Sequence, residues 1–438
     1  MLWFKTLLIL LLSLLVQGIE LNLNNSESID SALSLVADGM LNYYAGKNYG
    51  GTIGMFVPPA YWWEAGAAFN GLLNRYLATG NDTYNMLTMQ GMLHQIGDNS
   101  DYMPANYSTS EGNDDQAFWG LLAMSAAESN FTNPPPDEPQ WLELAQAVFN
   151  QQVYRWDTGT CNGGLRWQIT QFNHGYTYKN SVSNGAFFQL AARLGRYTGN
   201  QTFFEWADKV YNWSVAVGLV LDDYSVLDGK STKDNCSAIE LTQWTYNSGF
   251  YMAGSAFLYN ATGSEVWKNR TSGFVDKAAE MFFYEYIVYE PACEVSATCN
   301  YDQTSFKGFL CRFMAYTAML APFTRETIEP YLKTTARAAA TACSGGYDGV
   351  TCGNQWWWNN GTWDGLYGLG EQMSALEAIV AVPFMDAAPL YTHANGGSST
   401  GDNMAGLYDD ETSWAPPSYL PLNSILLLVL FWMPMLVI

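Results

Sequence analysis

Asp115-Gln116-Ala117-Phe118-Trp119 recurs in altered form as Asn184-Gly185-Ala186-Phe187-Phe188 and as Asn247-Ser248-Gly249-Phe250-Tyr251. Each places a polar residue three and four positions ahead of an aromatic pair, a spacing that shares one side of a helix. Trp62-Trp63-Glu64-Ala65-Gly66, Asp302-Gln303-Thr304-Ser305-Phe306 and Gly370-Glu371-Gln372-Met373 open three further segments of similar character. The six starts lie about 50 to 70 residues apart, room for a helix, a turn and a returning helix at a rise of about 1.5 Å per residue. Ala78-Thr79-Gly80-Asn81, Tyr197-Thr198-Gly199-Asn200 and Ala261-Thr262-Gly263-Ser264 supply turns, and Asn133-Pro134-Pro135-Pro136-Asp137 breaks the chain before a helix starting near Gln140. Helical rather than alternating apolar spacing runs through most of the chain. The expectation is an all-α fold, six helical hairpins closed into an (α/α)6 toroid whose inner helices aim their polar starts at one mouth. An open α-solenoid, which lacks that mouth, is the competing architecture.

Both ends carry the marks of targeting. Lys5, the apolar run Leu7–Val16 and the small residues around Val16-Gln17-Gly18 match a secretory signal peptide cut near Gly18. Residues 425–438 form an apolar run shorter than the roughly 20 residues of a spanning helix, and no Lys or Arg follows Arg337. That arrangement matches a GPI-attachment signal, with small residues at Gly396–Gly401, Asn403 and Ala405 and a polar spacer at Asp409–Ser413. A short C-terminal anchor helix is the alternative. The expected organisation is a signal peptide at 1–18, one domain at 19–390, and a spacer with the GPI signal at 391–438; no Pro/Gly/Ser linker interrupts the middle part.

Secretion makes disulfides the default for the seven cysteines, and the odd count leaves one thiol over. Cys293 with Cys299 and Cys343 with Cys352 are close enough to close short loops, and Cys311, in an apolar helical context, is the expected buried free thiol. Ten Asn-x-Ser/Thr sequons, from Asn24, Asn81 and Asn106 to Asn360, fit a glycosylated surface protein. A net charge of −22 argues against nucleic acid and anionic membrane as partners. His94, His174 and His393 are the only histidines, and no Cys/His cluster has metal-ligand spacing, so neither a metal nor a cofactor is expected. The 15% aromatic content, rich in Trp and Tyr, suits sugar rings as well as a core.

Gly112-Asn113-Asp114-Asp115 sets two adjacent carboxyls at a helix start. Acids there cap free N–H groups and face the positive dipole end, which is ordinary helix chemistry. A carboxyl pair is also what glycosidic bond cleavage needs, one group protonating the leaving oxygen and one meeting the oxocarbenium-like carbon. Neighbours on a helix point about 100° apart, but at its start both can lean into a mouth built by other helix ends.

Asn113-Asp114-Asp115-Gln116, Tyr61-Trp62-Trp63-Glu64-Ala65-Gly66, Gly164-Leu165-Arg166-Trp167 and Lys179-Asn180-Ser181-Val182-Ser183-Asn184-Gly185 occur in an order that resembles glycoside hydrolase family 76 over about residues 30 to 390. The signal peptide, sequons and tail make the chain similar to the fungal cell-wall members, the endo-α-1,6-mannosidase-like proteins of wall biogenesis. The resemblance implies an (α/α)6 barrel and a retaining mechanism on α-1,6-linked mannose, with Asp114 as nucleophile and Asp115 as general acid/base. It also implies transglycosylation, moving the GPI glycan of wall proteins onto wall glucan, and a place on the outer face of the plasma membrane or in the wall. Simple hydrolysis of α-1,6-mannan and a catalytically silent glycan binder remain alternatives. An inverting glycosidase would draw its second carboxyl from Glu64 or Asp302. Trp62, Trp63, Glu64, Asn113, Gln116, Asn184, Trp244, Tyr246, Asn247, Asp302 and Trp357 are the candidate substrate contacts, with Trp356-Trp357-Trp358 as a stacking wall; packing or capping competes for each. Asp222-Asp223 lacks the helix-opening context and reads as a loop.

Overall fold

A computed structural model describes residues 18–358 and 361–407. The expected signal peptide and C-terminal apolar run therefore fall almost wholly outside the described residues. Among the described residues twelve α-helices make six pairs: α1 (Ser26–Leu41), α2 (Trp62–Thr79), α3 (Asn85–His94), α4 (Asn113–Glu128), α5 (Trp141–Tyr154), α6 (Ser181–Thr198), α7 (Gln201–Ala216), α8 (Thr245–Thr262), α9 (Glu265–Met281), α10 (Phe306–Leu320), α11 (Arg325–Ala342) and α12 (Leu369–Phe384). The even-numbered helices α2 to α12 form the inner ring, each packed on the next and α12 packed back on α2. Closure excludes the open solenoid. The inner helices are buried on nearly every side, whereas outer helices such as α7 and α11 bury a single stripe.

Local chemistry sets the helix ends. Glu64 accepts the Tyr61 N–H at 2.7 Å at the start of α2, and Asp115 accepts the Gly112 N–H at 2.6 Å at the start of α4. Asn180 caps α6 through the Ser183 N–H. Gly80, Gly199 and Gly263 close α2, α6 and α8 with φ of +74°, +72° and +63°, the left-handed turn that favours glycine. Small residues let inner helices touch: a Cβ on Gly308 of α10 would stand 2.7 Å from Ser374 Cα of α12.

Two buried ion pairs plug the ring at its far end. Arg193 of α6 meets Glu128 of α4 at 2.6 Å, beside Ser125 and Tyr316, and Arg312 of α10 meets Glu377 of α12. Disulfides join Cys161–Cys236, Cys293–Cys299 and Cys343–Cys352, and Cys311 is the buried free thiol. Short strands edge the helices, chiefly the antiparallel sheet β1 (Tyr178–Asn180), β2 (Gly229–Ser231) and β3 (Ile239–Glu240).

The helical body does not end at 390. Residues 391–406, assigned to the spacer on sequence, belong to it. Tyr391 N–H donates to Glu128 O at 2.7 Å, Leu142 N–H to Ser399 Oγ at 2.9 Å, and Asn150 Nδ2 to Ala405 O at 2.9 Å. Polar composition reads as spacer, but these polar groups serve as partners for α5, which leaves part of the expected attachment stretch packed on the protein. Ile19 is likewise buried, its N–H on Ala340 O at 2.9 Å.

Candidate active site

Five inner helices, α2, α4, α6, α8 and α10, bring their N-terminal ends to one cleft of about 880 Å³; the start of α12 stays outside it. The loop after α1, residues 45–60, and the sheet edge at Tyr178 and Asn180 complete the walls. Glu111, Asp114, Asp115, Asp228 and Asp302 line the cleft, and no Lys or Arg appears among the described lining residues. Positive helix ends stand where basic side chains are lacking.

Asp114 and Asp115 lie in the first turn of α4, whose start is held from three sides. Asn113 N–H donates to Trp167 O at 2.8 Å, Asn113 Nδ2 to Arg166 O at 2.8 Å, and Arg155 Nε to Asn113 Oδ1 at 2.7 Å. An ideal Cβ on Gly112 would sit 2.3 Å from Asp114 Oδ1 and 3.3 Å from Asp115 Oδ2. The two oxygens are thus separated by no more than those distances combined, short of the roughly 6.5 to 9.5 Å of inverting pairs. Asp115 is cap and cleft residue at once, so the two readings of the acidic pair are compatible.

Burial, and then the charge of Asp115, push the Asp114 carboxyl well above the ordinary range. Burial also raises Asp115, but the Gly112 N–H holds its anion and it ionises at about 6. Burial thus raises both carboxyls together, and the two protons come off as those of a pair. Hydrogen bonds favour both anions, the Gly112 N–H at Asp115 and the first-turn backbone with Trp167 at Asp114, while no hydrogen-bond donor among the described residues reaches Asp114 Oδ1. Burial sets Asp302 at about 6, against a lowering hydrogen bond from Trp63.

Of the candidate contacts, Trp62, Trp63, Trp244, Tyr246 and Asp302 line the cleft. Their rings are largely committed: Trp62 stacks between Trp119 at 5.2 Å and Tyr107 at 5.9 Å, and Tyr246 lies on Phe306 at 3.8 Å. The other candidates are not lining residues. Glu64 caps α2, Gln116 joins Gln151 to Arg155, and Asn247 is buried beside Asp228. Asn184 clamps the loop that presents Trp167, accepting the Leu165 N–H at 2.8 Å and donating to Leu165 O at 3.0 Å. Trp357 lies away from the cleft, its indole N–H on Glu294 Oε2 at 3.0 Å; Trp356 is core and Trp358 is exposed, so the three tryptophans form no stacking wall. Asp223 pairs with Lys277 in a loop, away from the cleft.

Glu111, Tyr107, Trp167, Tyr178 and Asp228 line the cleft and were absent from the candidate set. Glu111 had a signal, an acid directly before the Gly112-Asn113-Asp114-Asp115 turn. Asp228 had none, because strand pairing of Asn180 with Gly229 brings it in.

The close approach at Gly112 yields a prediction. Its φ of −91° suits alanine, but the added methyl would displace the Asp114 carboxyl. Gly112→Ala is expected to lower kcat/KM by about 100-fold, the scale of a misplaced reacting group, with a melting temperature near that of the wild type. Kinetics beside thermal melts check it, and normal turnover would refute it.

A family model described as glycosyl hydrolase family 76 matches residues 28–394. A Schizosaccharomyces pombe relative named for mannan endo-1,6-alpha-mannosidase is 67% identical over 92% of this chain and 91% of its own length. Mannan endo-1,6-alpha-mannosidase DCW1 of Saccharomyces cerevisiae is 56% identical over 91% of this chain and 89% of its own. The crystal structure of Dfg5 from Chaetomium thermophilum in complex with glucosamine superposes with a TM-score of 0.85 at 40% identity, covering 89% of this chain and 98% of that one. A closed ring of six helix pairs, a carboxyl pair at its mouth and near-full-length likeness agree: the chain belongs to glycosyl hydrolase family 76.

Proposed function

We propose that the protein is a retaining, endo-acting enzyme on α-1,6-mannosyl linkages that transfers the glycans of GPI-anchored wall proteins to wall glucan. The observation that carries this reading is the short spacing of Asp114 and Asp115 at the floor of the acidic cleft. Asp114, with an oxygen no protein donor engages, attacks the anomeric carbon; Asp115 gives its proton to the departing oxygen, and a mannosyl ester forms as the glycosidic C–O bond breaks. An acceptor hydroxyl then attacks the anomeric carbon and gives its proton to Asp115, as the bond from that carbon to the Asp114 oxygen breaks and frees the carboxylate. For Asp114 to attack, the one proton of the pair must sit on Asp115. The names of the fungal relatives support mannan as the substrate class, and the glucosamine held by the solved relative supports a glycan cleft. Tethering through a GPI anchor on the outer face of the plasma membrane, read from the C-terminal sequence, would place the enzyme in the same leaflet as GPI-anchored donors.

The test is incubation of the purified ectodomain with a GPI-core-like α-mannoside and glucan oligomers, followed by mass spectrometry. Transfer products of retained α configuration are expected. Free mannoside alone selects hydrolysis, inverted product selects an inverting pair with Asp302, and binding without turnover selects a glycan-binding protein.

A further inference from the structure

Glu111 precedes the catalytic turn by the width of one glycine and lines the same cleft, yet its side chain does nothing for the fold. It is 2% exposed, and no hydrogen-bond donor among the described residues reaches either carboxyl oxygen. Its backbone, by contrast, is fixed: Glu111 O accepts the Ile169 N–H at 3.2 Å, and Gly112 next to it bridges to Gln168. The residue is therefore held at a defined place in the cleft wall, with its carboxyl oxygens buried. A buried polar group without a partner is costly, and such a group in a cleft is expected where a ligand supplies the partner.

We propose that Glu111 is a sugar-contacting residue, its carboxyl group holding a hydroxyl of the bound mannoside beside Asp114 and Asp115. This rests on the glycosidase reading of the cleft. Burial and the nearby Asp115 carboxylate raise Glu111 to about 9, against the opposing charge of Arg155, so at neutral pH it is a neutral acid. In that form it offers one O–H donor and a carbonyl acceptor, the pair of functions a sugar hydroxyl matches. A carboxylate at the same place would add a further negative charge beside the catalytic pair, and a neutral acid avoids that repulsion. Glu111 thereby reads substrate without taking part in the proton transfers of Asp114 and Asp115.

Two variants separate this role from packing. Glu111→Gln keeps one donor group and one acceptor in nearly the same shape; Glu111→Leu keeps volume alone. With a sulfur-linked α-1,6-mannotriose, which resists cleavage, as the calorimetric probe, Glu111→Gln is expected to bind within about threefold of wild type and Glu111→Leu at least about 10-fold more weakly, the scale of a lost buried hydrogen bond. Glu111→Leu is also expected to melt at or above the wild-type temperature, since it removes an unpartnered buried carboxyl. Unchanged affinity in Glu111→Leu, or a lower melting temperature with unchanged affinity, would overturn the proposal. An equal loss in Glu111→Gln would overturn it too, because it would require the ionised form. Wild-type binding of the probe without turnover of the oxygen-linked sugar would instead sink the glycosidase reading, leaving the Glu111 comparison decisive on its own.

Discussion

Asp114→Asn is expected to lower kcat/KM by at least about 10³-fold, and Asp115→Asn by about 10²- to 10⁴-fold, with both variants folded. Each substitution preserves shape and hydrogen-bonding capacity, and removing an ionisable group from a buried site spares the charged form its desolvation. Loss of rate without loss of fold is thus the signature of chemistry rather than capping. A cap alone would leave turnover intact in both variants, and would show itself in Asp115→Ala as about 1 kcal/mol of lost stability. Azide should restore cleavage to an Asp114→Ala variant with the opposite product anomer, as an external nucleophile replaces the missing one. A 2-fluoromannosyl donor should leave its adduct on Asp114. An adduct on Asp115 would reverse the roles.

The same pair sets the pH dependence. The active form carries one proton over two carboxyls, so the apparent values belong to the pair. Below about 6 both groups are protonated and no nucleophile exists; kcat/KM therefore rises with pH through about 6. At higher pH the second proton leaves and the rate falls. A profile flat across pH 6 would contradict the assignment.

Glu128→Ala is expected to destabilise the fold by about 3 to 5 kcal/mol, the largest stability effect among these predictions. The pair with Arg193 is fully buried at the closed end of the ring, and Arg193 also donates to Ser125 Oγ at 2.8 Å. Truncation leaves a guanidinium in the core without its anion. A double replacement, Arg193→Met with Glu128→Leu, should recover most of the loss, since no charge then remains unpaired. Urea unfolding of the three variants measures this. A loss below about 1 kcal/mol, the scale of an exposed pair, would show that the charges are not buried together.

Much of the architecture was legible along the chain because it is encoded locally. Inner helices begin where Trp62, Asn113 and the segments before Asn184 and Asn247 suggested, and three turns end on glycines in the left-handed conformation. The short-range cysteine pairs and the leftover Cys311 follow from spacing and context in the same way. The site was only partly legible. Asn184, Gln116 and Glu64 carry the polarity of ligand contacts, but spend it on the Leu165 loop, the Arg155 network and the α2 cap. Trp357 has the composition of a sugar platform, yet its loop packs it on Glu294.

By itself the amino-acid sequence determined the helical class, the six-fold repeat, the two short-range cysteine pairs and the acidic pair, because periodicity, caps, turns and neighbouring residues act over a few positions. Tertiary structure alone decided ring closure, the cleft position of Glu111 and Asp228, the retention of residues 391–406 on the body, and the burial that raises both Asp114 and Asp115. Those properties depend on which distant groups are brought within a hydrogen bond of each other and on how much water packing excludes, and neither quantity is written in the order of residues along one segment.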